Sequence, residues 1–171
     1  MAGSCGRESG FSFLELLLVM TIIAFITVLA APALSNFEDK LLLETAAGRL
    51  AAHMRLAQQV AVTGGKTTRV ELYLARDYYS MFLPEQKEIV PLPVGIELAY
   101  LSFPGAESQG GYSLGFTRTG APSSGGTVVL KNRRGEKRYV IVAVGTGRVR
   151  VSPSPPEHWQ SFSLLSRRGS C

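Results

Sequence analysis

Two hydrophobic patterns share one helical period in the first third of the chain. From 16 to 37 the run LLLVMTIIAFITVLAAPALSNF carries no charge. As a helix its roughly 22 residues rise about 33 Å, the thickness of a bilayer core. Beyond it, Leu43, Ala47, Leu50, Met54, Ala57 and Ala61 recur at 4-3-4-3-4 spacing and line one stripe. Glu44, Arg49, Arg55 and Gln59 fall on the other side. Thr63-Gly64-Gly65 supplies a stop, because glycine accepts the left-handed C-cap conformation. Together these patterns predict one long helix over 11–63, about 80 Å if continuous. Its transmembrane half covers about 14–36 and its amphipathic half 37–63.

After Gly65 the period shortens to strand-like alternation. Segments 66–74, 78–83, 95–102, 125–132, 137–144 and 147–152 are rich in Val, Ile, Tyr and Thr, and turn clusters such as LPEQ, PLPVG, FPGAESQGG and GAPSSGG separate them. Strands without intervening helices predict an antiparallel sheet domain over 64–171, a sandwich or strongly curved sheets, with the amphipathic half-helix over one open face. The fold class is therefore α+β. From about 152 the chain turns proline-rich and then basic, which predicts an extended connection followed by a short strand or a mobile tail, with Trp159 and Phe162 packed at the domain edge.

Composition sharpens this picture. At 171 residues, 46% hydrophobic and 18% charged, the chain is too short for a large multi-domain enzyme and too apolar for disorder. Its mean hydropathy of +0.15 reflects the N-terminal run. The net charge of +5 permits an anionic partner. Cys5 and Cys171 lie at opposite extremes, so no disulfide framework staples the fold, and Cys171 reads as a free terminal thiol. His53 and His158 have no Cys or carboxylate at metal-ligand spacing, and the only aspartates are Asp39 and Asp77. No nucleophile elbow or phosphate loop is present. No catalytic residue, metal or cofactor is expected, and the chain does not read as an enzyme.

One acid interrupts the apolar run. A carboxylate at the depth of Glu15 costs about 2.5 to 3.5 kcal/mol on insertion scales and calls for a positive partner. A cleavable secretory signal ending near AAPALS would explain the apolar run but neither this acid nor the helical period beyond Ser35. The stretch GFSFLELLLVMTII, at 10–23, resembles the prepilin leader junction of type IV pilins and type II secretion pseudopilins. That resemblance implies a leader over 1–10, cut after Gly10 by a prepilin peptidase, with N-methylation of Phe11. It makes Glu15 the assembly residue, facing the methylated amine of a neighbouring subunit, and Pro32 a helix-kinking proline. It places the protein in the bacterial inner membrane as a single-pass subunit, with its C-terminal domain in the periplasm, destined for a pilus-like filament.

The segments RLAAHMRLAQQVAVTGG, GFTRTGAPSSGGTVVL and YVIVAVGTGRVRVSP are similar to the C-terminal domain of H-type minor pseudopilins of type II secretion and FimT-like minor pilins. This implies a pilin-like fold and a non-enzymatic subunit near a filament tip. Two basic features accompany it. KNRRGEKR, at 131–138, reads as a hairpin with a solvated charged turn. In GRVR, at 147–150, strand alternation sets Arg148 and Arg150 on one face, where they suit neighbouring phosphates or simply a polar outer face. The first expectation is a pseudopilin of the type II secretion pseudopilus, partnered by other major and minor pseudopilins and by the secretin or a secreted protein. The alternative is a FimT-like minor pilin that binds double-stranded DNA through Arg148 and Arg150 during natural transformation.

Overall fold

The computed structural model describes residues 12–74, 76–108 and 111–156, the side chains of 29–36 and 108 excepted. Helix α1 runs Phe13–Gly64 over 52 residues. It stops where the sequence says it should, with Gly65 in the left-handed region at φ +61. The chain divides into two compact units, Met1–Glu38 and Asp39–Cys171.

In the first unit exposed apolar side chains lie on every side of the helix, with Glu15 the acid of its first turn. Leu16, Leu17, Leu18 and Val19 are all exposed although four consecutive residues cover a full turn. Among the described residues no helix is long and apolar enough to cross a membrane. The part of the uncharged run whose side chains are described is 16–28 and Phe37.

Among the described residues the second unit holds the C-terminal part of α1 and nine strands. The strands are β1 Thr68–Leu72, β2 Tyr78–Phe82, β3 Lys87–Pro91, β4 Ile96–Ser102, β5 Glu107–Ser108, β6 Gly111–Phe116, β7 Gly126–Asn132, β8 Lys137–Val142 and β9 Val149–Ser152. Two antiparallel sheets result, one ordered β3-β2-β1-β6-β5 and the other β4-β7-β8-β9. One buried cluster joins both sheets to the helix. The stripe supplies its helical side: Leu43, Ala47, Leu50, Met54, Ala57 and Ala61 are all fully buried, and Ala46 and Ala51 widen the contact. Each of the larger side chains is worth about 1.5 to 3 kcal/mol there. The hydroxyl of Thr68 donates to the Ala57 carbonyl at 2.8 Å, tying the first residue of β1 to the helix. Alternation repeats in the strands, with Val70 and Leu72 buried and Arg69 turned outward.

Six strands match the six predicted segments, with ends trimmed to the residues that pair. Three strands were not anticipated. Chain taken for turns between LPEQ and PLPVG forms β3, an edge strand that accommodates Pro91 at its last position. FPGAESQGG contains β5, and β6 follows it. Its alternate residues Gly111, Ser113 and Gly115 hid its strand character, and Gly111 is required because a Cβ there would lie 2.6 Å from the Tyr73 ring. Trp159, Phe162 and the basic tail lie outside the described residues, as do Gly10, Phe11, His158 and both cysteines.

Candidate functional site

The GRVR motif begins in a turn that the helix holds in place. After β8, the Ala143 amide donates to the Arg148 carbonyl at 3.1 Å and the Gly147 amide to the Ala143 carbonyl at 2.9 Å. Gly147 sits at φ +64 and is buried. A Cβ at that position would lie 2.4 Å from Gln58 Nε2 and 2.9 Å from the Gly120 carbonyl oxygen, so only glycine fits. Gln58 Nε2 itself donates to that same oxygen at 2.7 Å. A second tight turn is thereby brought alongside: Gly120, at φ +81, donates its amide to Thr117 at 2.8 Å, and Arg118 rides on this turn.

Four arginines emerge around these two turns. Arg118, Arg148 and Arg150 are exposed, and among the described residues none of their side chains has a hydrogen-bond or ion-pair partner. Arg55, from the helix, donates through Nη2 to the Val149 carbonyl at 2.7 Å, which seats its guanidinium at the residue between Arg148 and Arg150. The segments that build this face contribute no acid. Residues 45–70, 108–135 and 137–156 contain neither Asp nor Glu. Guanidinium groups without a carboxylate in reach attract phosphate, which they bind in a bidentate fork. Sequence reading singled out Arg148 and Arg150 but not Arg55 or Arg118. The acid-free windows were the available signal, although only the fold shows that they converge.

The other basic feature is a different object. In the β7–β8 hairpin Asn132 Oδ1 accepts the amides of Arg134 and Glu136 at 3.1 and 2.9 Å, and Gly135 takes φ +82. The turn residues 133–137 are exposed, as expected of a solvated turn, but the hairpin is also tied to the helix. Arg134 Nε meets Asp39 Oδ2 at 2.8 Å, and Arg138 Nε meets Glu44 Oε2 at 2.5 Å. Asn132 Nδ2 also approaches the Asp39 carbonyl at 3.5 Å. These arginines are spent on the fold.

The remaining candidates are structural or distant. Glu15 lies exposed in the first turn of α1, and position 32 lies within that helix. His53 Nδ1 meets the Tyr79 hydroxyl at 2.7 Å in the helix–sheet contact. Burial, reinforced by Arg49, lowers the His53 pKa, and burial also raises that of Tyr79. Among the described residues no group of three or more His, Cys, Asp or Glu side chains could hold a metal ion. An open cleft of about 380 Å³ beside Val94 has charges at its rim, including Lys131 and Glu97, which pair at 2.7 Å.

Comparison with known proteins adds three findings. A sequence profile of the family described as "Type II transport protein GspH" matches residues 46–147. The competence protein ComGD of Bacillus subtilis (strain 168) is 26% identical over 146 residues, which cover 85% of this chain and 94% of ComGD. Among solved structures the fold is similar to the type IV minor pilin FimU of Pseudomonas aeruginosa, with a TM-score of 0.53 at 17% identity over 71% of this chain and 97% of FimU. It is also similar to the minor pseudopilin EpsH from the Type 2 Secretion System of Vibrio cholerae, with a TM-score of 0.50 at 15% identity over 64% of this chain and 95% of EpsH. At these identities the structural likeness is one of fold: a long helix laid on antiparallel sheets.

Proposed function

The chain belongs to the GspH family of type II transport proteins, and from that premise we propose that it is a minor subunit of a membrane-anchored, pilus-like filament whose arginine face takes hold of double-stranded DNA. The observation that carries this reading is the convergence of Arg55, Arg118, Arg148 and Arg150 from segments, 45–70, 108–135 and 137–156, that contain neither Asp nor Glu. Duplex DNA presents closely spaced phosphates, and each one neutralised releases counterions. Two arginines flanking one strand residue, with a third guanidinium on the carbonyl between them, suit adjacent phosphates. Likeness to a competence protein supports DNA as the cargo.

In the same proposal the N-terminal segment does the assembling. A prepilin peptidase cuts after Gly10 and Phe11 is methylated. Residues 14–36 anchor the subunit in the inner membrane before polymerisation, and Pro32 loosens the helix. Glu15 pairs with the Phe11 amine of a neighbouring pilin subunit, which makes assembly more favourable than isolation. Replacing Gly10 with Ala should leave the leader attached, seen by mass spectrometry of membranes as an uncut chain. Normal removal of the leader would refute this part of the reading.

The DNA-binding reading is tested by a salt series of duplex binding with the full-length chain in detergent and an Arg148→Ala/Arg150→Ala partner. Each phosphate contact contributes about 0.9 to the log–log slope, so the double variant should lose about 1.8 of slope and most of its affinity. Absent binding, or binding that ignores both arginines, overturns it.

Export is the second reading, favoured by the description of the family itself. There the subunit sits in a type II secretion pseudopilus and meets the secretin or a secreted protein. Loss of secretion on deletion, with full rescue by the Arg148→Ala/Arg150→Ala chain, would select it.

A further inference from the structure

The outer face of the β3-β2-β1-β6-β5 sheet carries a second, unrelated arrangement of charge. Alternation buries Thr68, Val70 and Leu72 of β1 and turns Arg69 and Glu71 outward. Pairing register extends that parity to Tyr78, Ser80 and Phe82 on β2, to Lys87 and Ile89 on β3, and to Gly111, Ser113 and Gly115 on β6. Three rings and three cations result. Phe82 lies between its cross-strand partners, with the Arg69 guanidinium and the Lys87 ammonium each 4.8 Å from its centroid. Arg76, from the β1–β2 connection, sits 4.8 Å from the Tyr73 ring and 5.5 Å from Tyr78, and it donates to the Tyr78 hydroxyl. The two tyrosine rings are 6.0 Å apart and tilted by 57°.

Acid is scarce here too. Glu88 and Glu107 alternate to the opposite face, which leaves Glu71, among the described residues, as the only carboxylate that strand parity assigns to this one. Glu71 is already engaged, by Arg69 at 3.4 Å and by the Tyr73 hydroxyl at 2.6 Å. Beside the rings, β6 offers only glycine and serine at its outward positions, so the floor there is low. The Phe82 row and the tyrosine row are four residues apart along β2, about 14 Å.

A ligand matching this face has negative charge at intervals along a chain and flat π-surfaces free to meet aromatic rings. We propose that the outer face of this sheet binds single-stranded nucleic acid, its phosphates on Arg69, Arg76 and Lys87 and its bases against Phe82, Tyr73 and Tyr78. Unpaired bases expose the faces that stacking requires, whereas a duplex hides them. An acidic peptide would satisfy the cations but leave the rings unused. None of these residues belongs to the Arg148 turn, so the two faces are separable by mutation.

The test is fluorescence anisotropy of labelled oligothymidylate with the full-length chain in detergent. Phe82→Leu should weaken binding about tenfold, the scale of one lost stacked base. Arg76→Glu/Lys87→Glu should weaken it at least tenfold and flatten its salt dependence. Duplex binding through Arg148 and Arg150 should survive both changes, and Arg148→Ala/Arg150→Ala should leave oligothymidylate bound. Thermal melts monitor folding, and the charge-reversal pair decides the matter if Phe82→Leu unfolds. Failure of oligothymidylate to bind, binding indifferent to the charge-reversal pair, or displacement by polyglutamate at equal charge would each overturn the proposal.

Discussion

Two hairpins of one sheet system carry arginines, and they use them in opposite ways. In the β7–β8 turn, Arg134 and Arg138 meet Asp39 and Glu44 on the helix. In the turn between β8 and β9, Arg148 leads into Arg150, and the segments around them, 45–70, 108–135 and 137–156, carry no carboxylate. The difference lies in what the helix offers opposite each turn. Asp39 and Glu44 face the first, whereas Arg55 and Gln58 face the second, and Arg55 adds charge there instead of removing it. A basic cluster is therefore a binding surface or a structural clasp according to its partner, and the partner sits about 95 residues away in the chain.

Substitution of the two turn glycines should separate the hairpins most sharply. Both hold positive φ, but Gly147 is packed against Gln58 and Gly120 while Gly135 has nothing within 4 Å. Gly147→Ala should cost about 3 kcal/mol from strain plus collision and abolish duplex binding, whereas Gly135→Ala should cost only about 1 to 2 kcal/mol of left-handed strain. Urea unfolding of both variants measures this, and equal losses would break the distinction.

A smaller effect comes from freeing the clasp. Asp39→Asn/Glu44→Gln should leave stability within about 1 kcal/mol of wild type, since both pairs are partly exposed. Relieved of these two carboxylates, Arg134 and Arg138 should then raise duplex affinity and steepen its salt slope by up to about 1.8. Unchanged binding would mean that position on the surface matters more than freedom from an acid.

The smallest effect is a control on the helix–sheet contact that both hairpins depend on. Burial lowers the His53 pKa below 6.5, so the unfolded chain takes up its proton first. Stability should be full above about pH 6.5 and fall as pH drops toward the folded-state pKa. His53→Gln should flatten that slope in thermal melts, while arginine-dependent binding persists as long as the fold does, because guanidinium stays charged. A slope unaltered in the variant would assign it to other groups.

Much of the framework was legible because it is local. The stripe from Leu43 to Ala61 is fully buried, and the glycine pair ends the helix within a residue of its expected place. Strands β3 and β6 escaped because a proline and alternating glycines look like turns until their neighbours are known. At the candidate site, Arg148 and Arg150 could be read from alternation. Arg55 and Arg118 could not, since the bond of Gln58 to Gly120 and the packing of Gly147 bring them there from distant segments. The same nonlocality concealed the pairing of Arg134 and Arg138.

The clasp on Asp39 and Glu44 also has a mechanical meaning. Tension drawn along α1 from its N-terminal end reaches the second unit at Asp39, where Arg134 and Asn132 already hold the chain, and then at Glu44, five residues or about 7.5 Å further on. The Asp39 contact thus takes the first share of load, ahead of the buried stripe that begins to engage at Leu43, and Glu44 adds a second hold beside it. A subunit hauled by its helix would therefore load one partly exposed ion pair, at Asp39, before it loads the buried stripe.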